Sequence, residues 1–253
     1  TRLSLGNTYS EGLRLTDKFN RSTANIALSP SLLKDHLKLN INANYSNERN
    51  RFAPGVEGAA LRFDPTKPVY DPSSPLGGYF EYFDAPGTSL ILGARNPVAQ
   101  LLQTNNNSIV DRIFGNVQLD YKLHFFPDLR AVVNVGYDHS EGAGGTLINK
   151  DAATSGGNGL VLADKYGTDE YYTSRLDNKL LDAYFVYTKK FGELEFDATA
   201  GYSYQKFESL RFTSGNKLAV NPSAEPDYNT ATDLVLIGFF GRTNFTYKDK
   251  YLL

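Results

Sequence analysis

The chain has 253 residues, no cysteine, and a formal net charge of −2 from 26 Lys+Arg and 28 Asp+Glu. The charge balance excludes the basic excess of a nucleic-acid binder, and the missing cysteine excludes a disulfide framework, a thiolate metal site and a cysteine nucleophile. His36, His124 and His139 have no HxH or HExxH spacing, so no histidine-rich zinc site is indicated, while 17 Tyr, 16 Phe and 22 Gly point to a β protein.

Two weakly patterned strands open the chain, near residues 2–9 and 19–28. Residues 37–45 then alternate cleanly. Leu37, Leu39, Ile41, Ala43 and Tyr45 share one face, and Lys38, Asn40, Asn42 and Asn44 the other. A helix, with side chains repeating every ~3.6 residues, does not produce that pattern. In residues 109–123, Ile109, Ile113, Gly115, Val117, Leu119, Tyr121 and Leu123 form an apolar face broken only by Asp111. Arg112, Asn116, Gln118, Asp120 and Lys122 form the polar face, with Phe114 as the exception. The same rule predicts strands over 129–137, 181–187, 194–205 and 237–247, about eight in all. Several exceed the ~5–6 residues of an ordinary globular strand. Tyr251 opens a further apolar stretch.

The connections alternate in length. Residues 29–35, 126–128, 189–193 and 248–250 are short. Residues 46–108, 139–174 and 208–230 are long, and 10–17 is the one short member of this second set. Tight turns at one end and long loops at the other are the habit of an up-and-down outer-membrane barrel. No window reaches the ~18 consecutive apolar residues of a helical span, and no signal peptide is visible at Thr1.

Alternation by itself admits three architectures. The first is part of a larger transmembrane β-barrel. The second is a self-contained eight-stranded outer-membrane barrel acting as an adhesin or structural protein. The third is a soluble carbohydrate-binding β-sandwich. Strand length, loop asymmetry and aromatics at strand ends, such as Tyr45, Tyr137, Tyr187 and Tyr247, favour a membrane barrel. The stretch begun at Tyr251 favours a piece of a larger one, because an open sheet edge is not viable in lipid.

The long loops hold the candidate binding chemistry. Tyr79, Phe80, Tyr82 and Phe83 surround Glu81, and Tyr166, Tyr171 and Tyr172 form a second group. Exposed aromatics beside carboxylates can stack on sugar rings or hold peptide side chains. They can equally pack the loop on itself or on a partner. The Gly-rich stretches 142–145 and 155–159 lack the Lys-Ser/Thr and helix start of a phosphate loop and are expected to be flexible loop. Asp64, Asp71, Asp164, Asp169 and Glu170 have no EF-type spacing. The charges of the polar face (Arg112, Asp120, Lys122, Asp182, Glu195, Asp197, Arg242) could tune solute passage, but are expected to bond to one another or to whatever fills the interior. No catalytic, cofactor-binding or metal-binding residue is assigned, and no enzyme signature is present.

Several segments, in order, resemble the SusC/RagA family of TonB-linked outer-membrane transporters. They are DKFNRS (17–22), HLKLNINANYS (36–46), FDPTKPVYD (63–71), DRIFGNVQLDYKLHFFPDLR (111–130), LDAYFVYTKKFG (181–192) and FFGRTNFTYKDKYLL (239–253). The resemblance implies that residues 1–253 are about eight consecutive strands of an antiparallel barrel of about 22 strands, with the plug and N-terminal extension outside them. It further implies a multi-pass protein of the Gram-negative outer membrane, an importer of glycans or peptides. Such a protein would have a SusD-like surface lipoprotein as partner and would couple to TonB through an N-terminal region not among these residues.

Overall fold

A computed structural model describes residues 1–84, 93–155, 165–219, 227–248 and 251–252. Ten strands form one antiparallel sheet. They are β1 (Arg2–Glu11), β2 (Lys18–Leu28), β3 (Ser31–Leu32), β4 (Leu37–Arg51), β5 (Thr104–Lys122), β6 (Leu129–Ile148), β7 (Thr168–Phe191), β8 (Leu194–Thr213), β9 (Tyr228–Tyr247) and β10 (Tyr251–Leu252). Sequential neighbours pair throughout, in the order β1-β2-β4-β5-β6-β7-β8-β9-β10, and β3 is a short add-on to β4. Among the described residues β1 pairs with neither β9 nor β10, and no second sheet packs on this one. The sheet is therefore neither a closed eight-stranded barrel nor a sandwich.

Register puts the two side-chain classes on separate faces, because side chains on a strand alternate. Leu39, Leu119, Val133 and Ala183 fall in one cross-strand row of the apolar face. Asn40, Gln118, Asn134, Asp182 and Ser203 fall in the neighbouring row of the polar face. Among the described residues, nothing of the protein lies against the apolar face. Phe239 is 83% exposed and Leu5 78% exposed. Surface this apolar and this continuous is stable only against another apolar phase.

At the short-turn end an aromatic chain crosses that face. Phe126 stacks on Tyr187 at 5.7 Å, Tyr187 meets Phe196 at 6.1 Å, and Phe196 meets Phe245 at 4.9 Å. Amphipathic and aromatic rings prefer this depth of a lipid boundary.

The strands run further than the alternation predicts. β6 continues eleven residues past Tyr137, and β7 begins thirteen residues before Leu181. Strand pairing is a backbone matter, whereas the apolar face exists only where lipid would lie. From Leu181 to Phe191, β7 has the ~9–11 residues a tilted strand needs to cross a hydrocarbon core. Above that level the same outward face becomes mixed, with charged groups between exposed Ile109, Leu147 and Leu210. Asp177 accepts hydrogen bonds from Tyr137 Oη (2.7 Å), His139 Nδ1 (2.7 Å) and Arg175 Nε (2.6 Å).

Gly142–Gly145, expected as flexible loop, is paired strand within β6. At Gly144 a Cβ would sit 2.6 Å from Tyr172 Oη and 2.7 Å from the Asn107 carbonyl, so only glycine lets the tyrosine lie there. Ser155 is buried, and the rest of 155–159 lies outside the described residues, as does Asp164.

Two helices that alternation did not reveal lie in the 46–108 connection, α1 (Glu57–Arg62) and α2 (Pro97–Gln103). No helix among the described residues is long and apolar enough to cross a membrane. That fact says nothing about strands.

Candidate functional site: the outer head and the polar wall

At the long-loop end the connections pack into a head with its own core. Leu76 is 1% exposed and is joined by Ala153, with Phe83 packed against them. Asn96 organises the head. Its Oδ1 caps α2 by accepting from the backbone N–H groups of Val98 (3.0 Å) and Ala99 (3.2 Å), and Pro97 follows at the first helical position. Its Nδ2 donates to the carbonyls of Val69 (2.8 Å) and Phe80 (3.3 Å). Its own N–H donates to Glu81 Oε1 (2.9 Å). One asparagine thereby satisfies a helix start and two loop strands.

Gln103 joins two loops, donating to the Leu76 carbonyl (2.9 Å) and accepting from Ala153 N–H (3.3 Å). Lys165 closes the 149–155 turn through Nζ, which donates to the carbonyls of Ala152 (3.2 Å) and Ala153 (2.8 Å) and to Ser155 Oγ (3.1 Å). Burial pushes the Glu81 carboxyl above, and the Lys165 ammonium below, its ordinary pKa.

The first aromatic group is mostly internal to this head. Gly77 and Gly78, both at positive φ (68° and 79°), reverse the chain so that Tyr79 bridges back to Tyr70. Phe80 and Tyr82 form a triangle with Phe63, with ring centroids 5.3–6.3 Å apart. Phe83 packs on Leu76 and Ala153. Tyr79, Phe80, Tyr82 and Phe83 are thus half-buried, and Glu81 between them is buried. Tyr70, which the sequence reading passed over as a site residue, is 60% exposed with its ring 5.3 Å from that of Tyr79. Its place within the PTKPVYD segment (65–71) was its only signal.

The second group is split. Tyr166 is half-buried beside Gly167. Tyr171 and Tyr172 are not loop residues; they lie in β7 and point to opposite faces, because consecutive strand residues must. Tyr171 lies on the apolar side against Phe212 (5.6 Å), and Tyr172 lies on the polar side beneath the Arg211 guanidinium (4.5 Å).

Of the loop carboxylates, Asp64 and Asp71 serve turns, while Asp169 and Glu170 lie in β7. Asp64 Oδ1 accepts from Thr66 N–H (2.9 Å) and Oγ1 (2.8 Å), and Asp71 Oδ1 accepts from Ser73 N–H (3.0 Å) and Oγ (2.6 Å).

Among the described residues, most of the charges named on the polar wall, though not Lys122 or Glu195, bond within it. Arg112 forks onto Asp138 with two bonds of 2.8 Å. Arg130 donates to Asp120 (2.6 Å) and Thr188 to Asp197 (2.9 Å). Between them runs a ladder across five strands. Asn42 donates to Asn116 (3.2 Å), Asn116 to Asn134 (2.9 Å) and Asn134 to Asp182 (3.4 Å), and Asp182 also accepts from Ser203 (2.6 Å). At the short-turn end the imidazoles of His36 and His124 stack at 3.8 Å, a pairing that their separation in sequence hid.

No family model matches the chain. It is 34% identical, over 99% of its length, to the TonB-dependent receptor SusC of Bacteroides thetaiotaomicron, of which it covers 26%. It is 26% identical, over 87% of its length, to the TonB-dependent receptor P26 of Formosa agariphila, of which it covers 22%. Among solved structures it superposes on the RagAB peptide importer in its closed-closed state with a TM-score of 0.71 and 15% identity, covering 97% of this chain and 28% of that one. The chain thus spans about a quarter of the length of these relatives, and the last likeness is one of fold. The near end-to-end match to SusC, on a wall with one apolar and one polar face, places the chain in the SusC/RagA family of TonB-dependent outer-membrane proteins.

Proposed function

We propose that this chain forms part of the barrel wall and outer loops of a multi-pass outer-membrane importer of glycans or peptides. The importer works with a SusD-like surface lipoprotein and is driven through TonB, which engages parts of the protein that these residues do not include. The observation that carries this reading is the 34% identity with SusC along 99% of the chain. The two faces support it. The apolar face has the chemistry of lipid contact, and the polar face pairs most of its charges within itself, which suits the lining of a wet interior.

The mechanism is one of geometry rather than bond chemistry. Lipid holds the wall, the self-paired lining keeps the interior polar, and the head presents a rigid surface to substrate and lid. Within the head, Phe80, Tyr82 and Phe83 hold the loop, Tyr166 supports its neighbour, and direct ring contact with substrate falls to Tyr79 with Tyr70. Tyr172 meets solute from the wall, and Tyr171 lies outside the path.

Deletion of the encoding gene in its source bacterium tests the proposal. The expected result is loss of growth on one class of glycan or peptide, the same loss on depletion of TonB, and a lipoprotein co-purifying with the intact protein. Unchanged growth on every class, with no co-purifying lipoprotein, would overturn it.

A further inference from the structure

Phe114 interrupts the polar face, and the structure gives that interruption a partner. One cross-strand row of this face reads Asn44, Phe114, Asp138, Asn178, Phe207. The two phenylalanines are three strands apart, about 14 Å at the ~4.7–4.9 Å spacing of neighbouring strands. Both are 37% exposed, with an aspartate and an amide between them in the row, which continues to Leu234 on β9. They flank a hollow of about 460 Å3 whose floor is Gly136 and Leu180. The amide ladder through Asn116 borders it on one side, and Asn44 and Gln205 stand at its rims.

We propose that this hollow is a binding subsite on the wall for a neutral, polyhydroxylated ligand, a segment of an oligosaccharide. The argument is one of complementarity. Apolar rings on a polar, water-lined face are costly unless something packs on them. Sugars present C–H faces to aromatic rings and hydroxyl groups to planar amides, which both donate and accept. The charges lining the hollow are already paired, Lys179 with Glu208 (3.1 Å) and Asp138 with Arg112. Arg112 lies over the Phe114 ring (4.7 Å) and spends its fork on Asp138, whose remaining bond comes from Asn178 Nδ2 (3.3 Å). The volume falls within the ~300–1,000 Å3 of small-molecule sites. A charged peptide segment finds no unpaired counter-ion there, so the observations favour the sugar. This inference rests on the importer reading and narrows its substrate class.

The test uses the full-length protein, purified from the outer membrane with any lipoprotein that accompanies it. Titration calorimetry against malto-, cello-, xylo- and manno-oligosaccharides, and against a mixture of oligopeptides, measures binding to the unaltered protein first. Phe207→Ala and Phe114→Ala are then compared with Phe207→Tyr and Phe114→Tyr, each checked for a folded barrel by heat-modifiable migration. The expected result is binding of one neutral oligosaccharide, weakened about tenfold or more by each alanine and retained by each tyrosine. Sugar binding unchanged in both folded alanine variants would overturn the subsite while leaving the importer reading intact. The same would hold if the variants altered only the protease protection of a plug packed on this row. Peptide binding that these variants weaken would overturn the sugar assignment. Binding of neither ligand class by the unaltered protein would bring down the importer reading itself, before any variant is compared.

Discussion

The outer head and the wall solve the burial problem in opposite ways. The head hides Leu76, Ala99, Ala152 and Ala153 within its own packing and satisfies its buried Asn96 and Lys165 with carbonyls and a helix start. Among the described residues, the wall buries only Val132 and Val186 of its hydrophobic side chains and turns Leu3, Leu5, Ile237 and Phe239 outward. The head is therefore assembled as a water-soluble protein is. The wall's apolar face is completed by a phase outside the chain. The backbone is the common element, because hydrogen-bonded ladders run unbroken from one region into the other.

The comparison can be broken from either side, most severely at the head's core. Leu76→Ala in the full-length protein is expected to cost about 2–5 kcal/mol locally, the transfer and cavity cost of a buried leucine. It would show as protease cleavage within residues 52–103 while the barrel still migrates as folded. Loss of the barrel together with the head would mean that the two are one cooperative unit.

An arginine probes the wall. At Val133, mid-way along the outward apolar stretch of β6, it is expected to cost about 2–4 kcal/mol in vesicles. At Thr173, on the same face but above the apolar band, it is expected to change stability by no more than about 0.5 kcal/mol. Urea unfolding of both variants in lipid vesicles measures the difference. Equal effects would move the lipid boundary away from the Tyr137–Asp177 level.

Asn96→Ala removes the α2 cap and two carbonyl partners. A loss of about 1–2 kcal/mol is expected for the cap, seen as faster amide exchange at Val98 and Ala99.

The smallest effect is electrostatic. The Glu81 carboxyl has a raised pKa in the folded head because burial disfavours its charge. Its contribution is fully present below the ordinary glutamate value, about 4.3, and is lost as pH rises through the raised value. Glu81→Gln keeps the acceptor for Asn96 and removes the charge. Melting curves of the variant and the parent are expected to coincide near about pH 4 and to separate at higher pH, with the parent the less stable. A parent that gains on the variant as pH rises would reverse the sign and make the Glu81 charge stabilising.

Much of the wall was legible because alternation is a local signal with one meaning. Residues 37–45 and 109–123 expose their two faces in the order of their letters, and antiparallel neighbours followed from the short turns. The extensions of β6 and β7 were not legible as strand. Beyond the lipid neither face is uniformly apolar, so the alternation breaks and Gly142–Gly145 and Tyr171–Tyr172 read as loop. The helices α1 and α2 were hidden for a related reason. They are short; the signals of α2, an asparagine cap and a proline, are common in loops, and α1 follows Val56 with no side-chain cap. The loop aromatics were found as letters, but whether a ring is a platform or a support depends on what lies against it. Tyr70 and Tyr79 could not be separated from Phe80, Tyr82 and Phe83 without that knowledge.

The sequence by itself determined the strands, their two faces and the family, because these depend on side-chain period and on residues read in order. Only the tertiary structure decided that Phe114 and Phe207 share a row, that Tyr171 and Tyr172 part company, and that His36 meets His124. Register joins residues that are distant in the chain, and it is set by the summed pairing of whole strands rather than by any one residue.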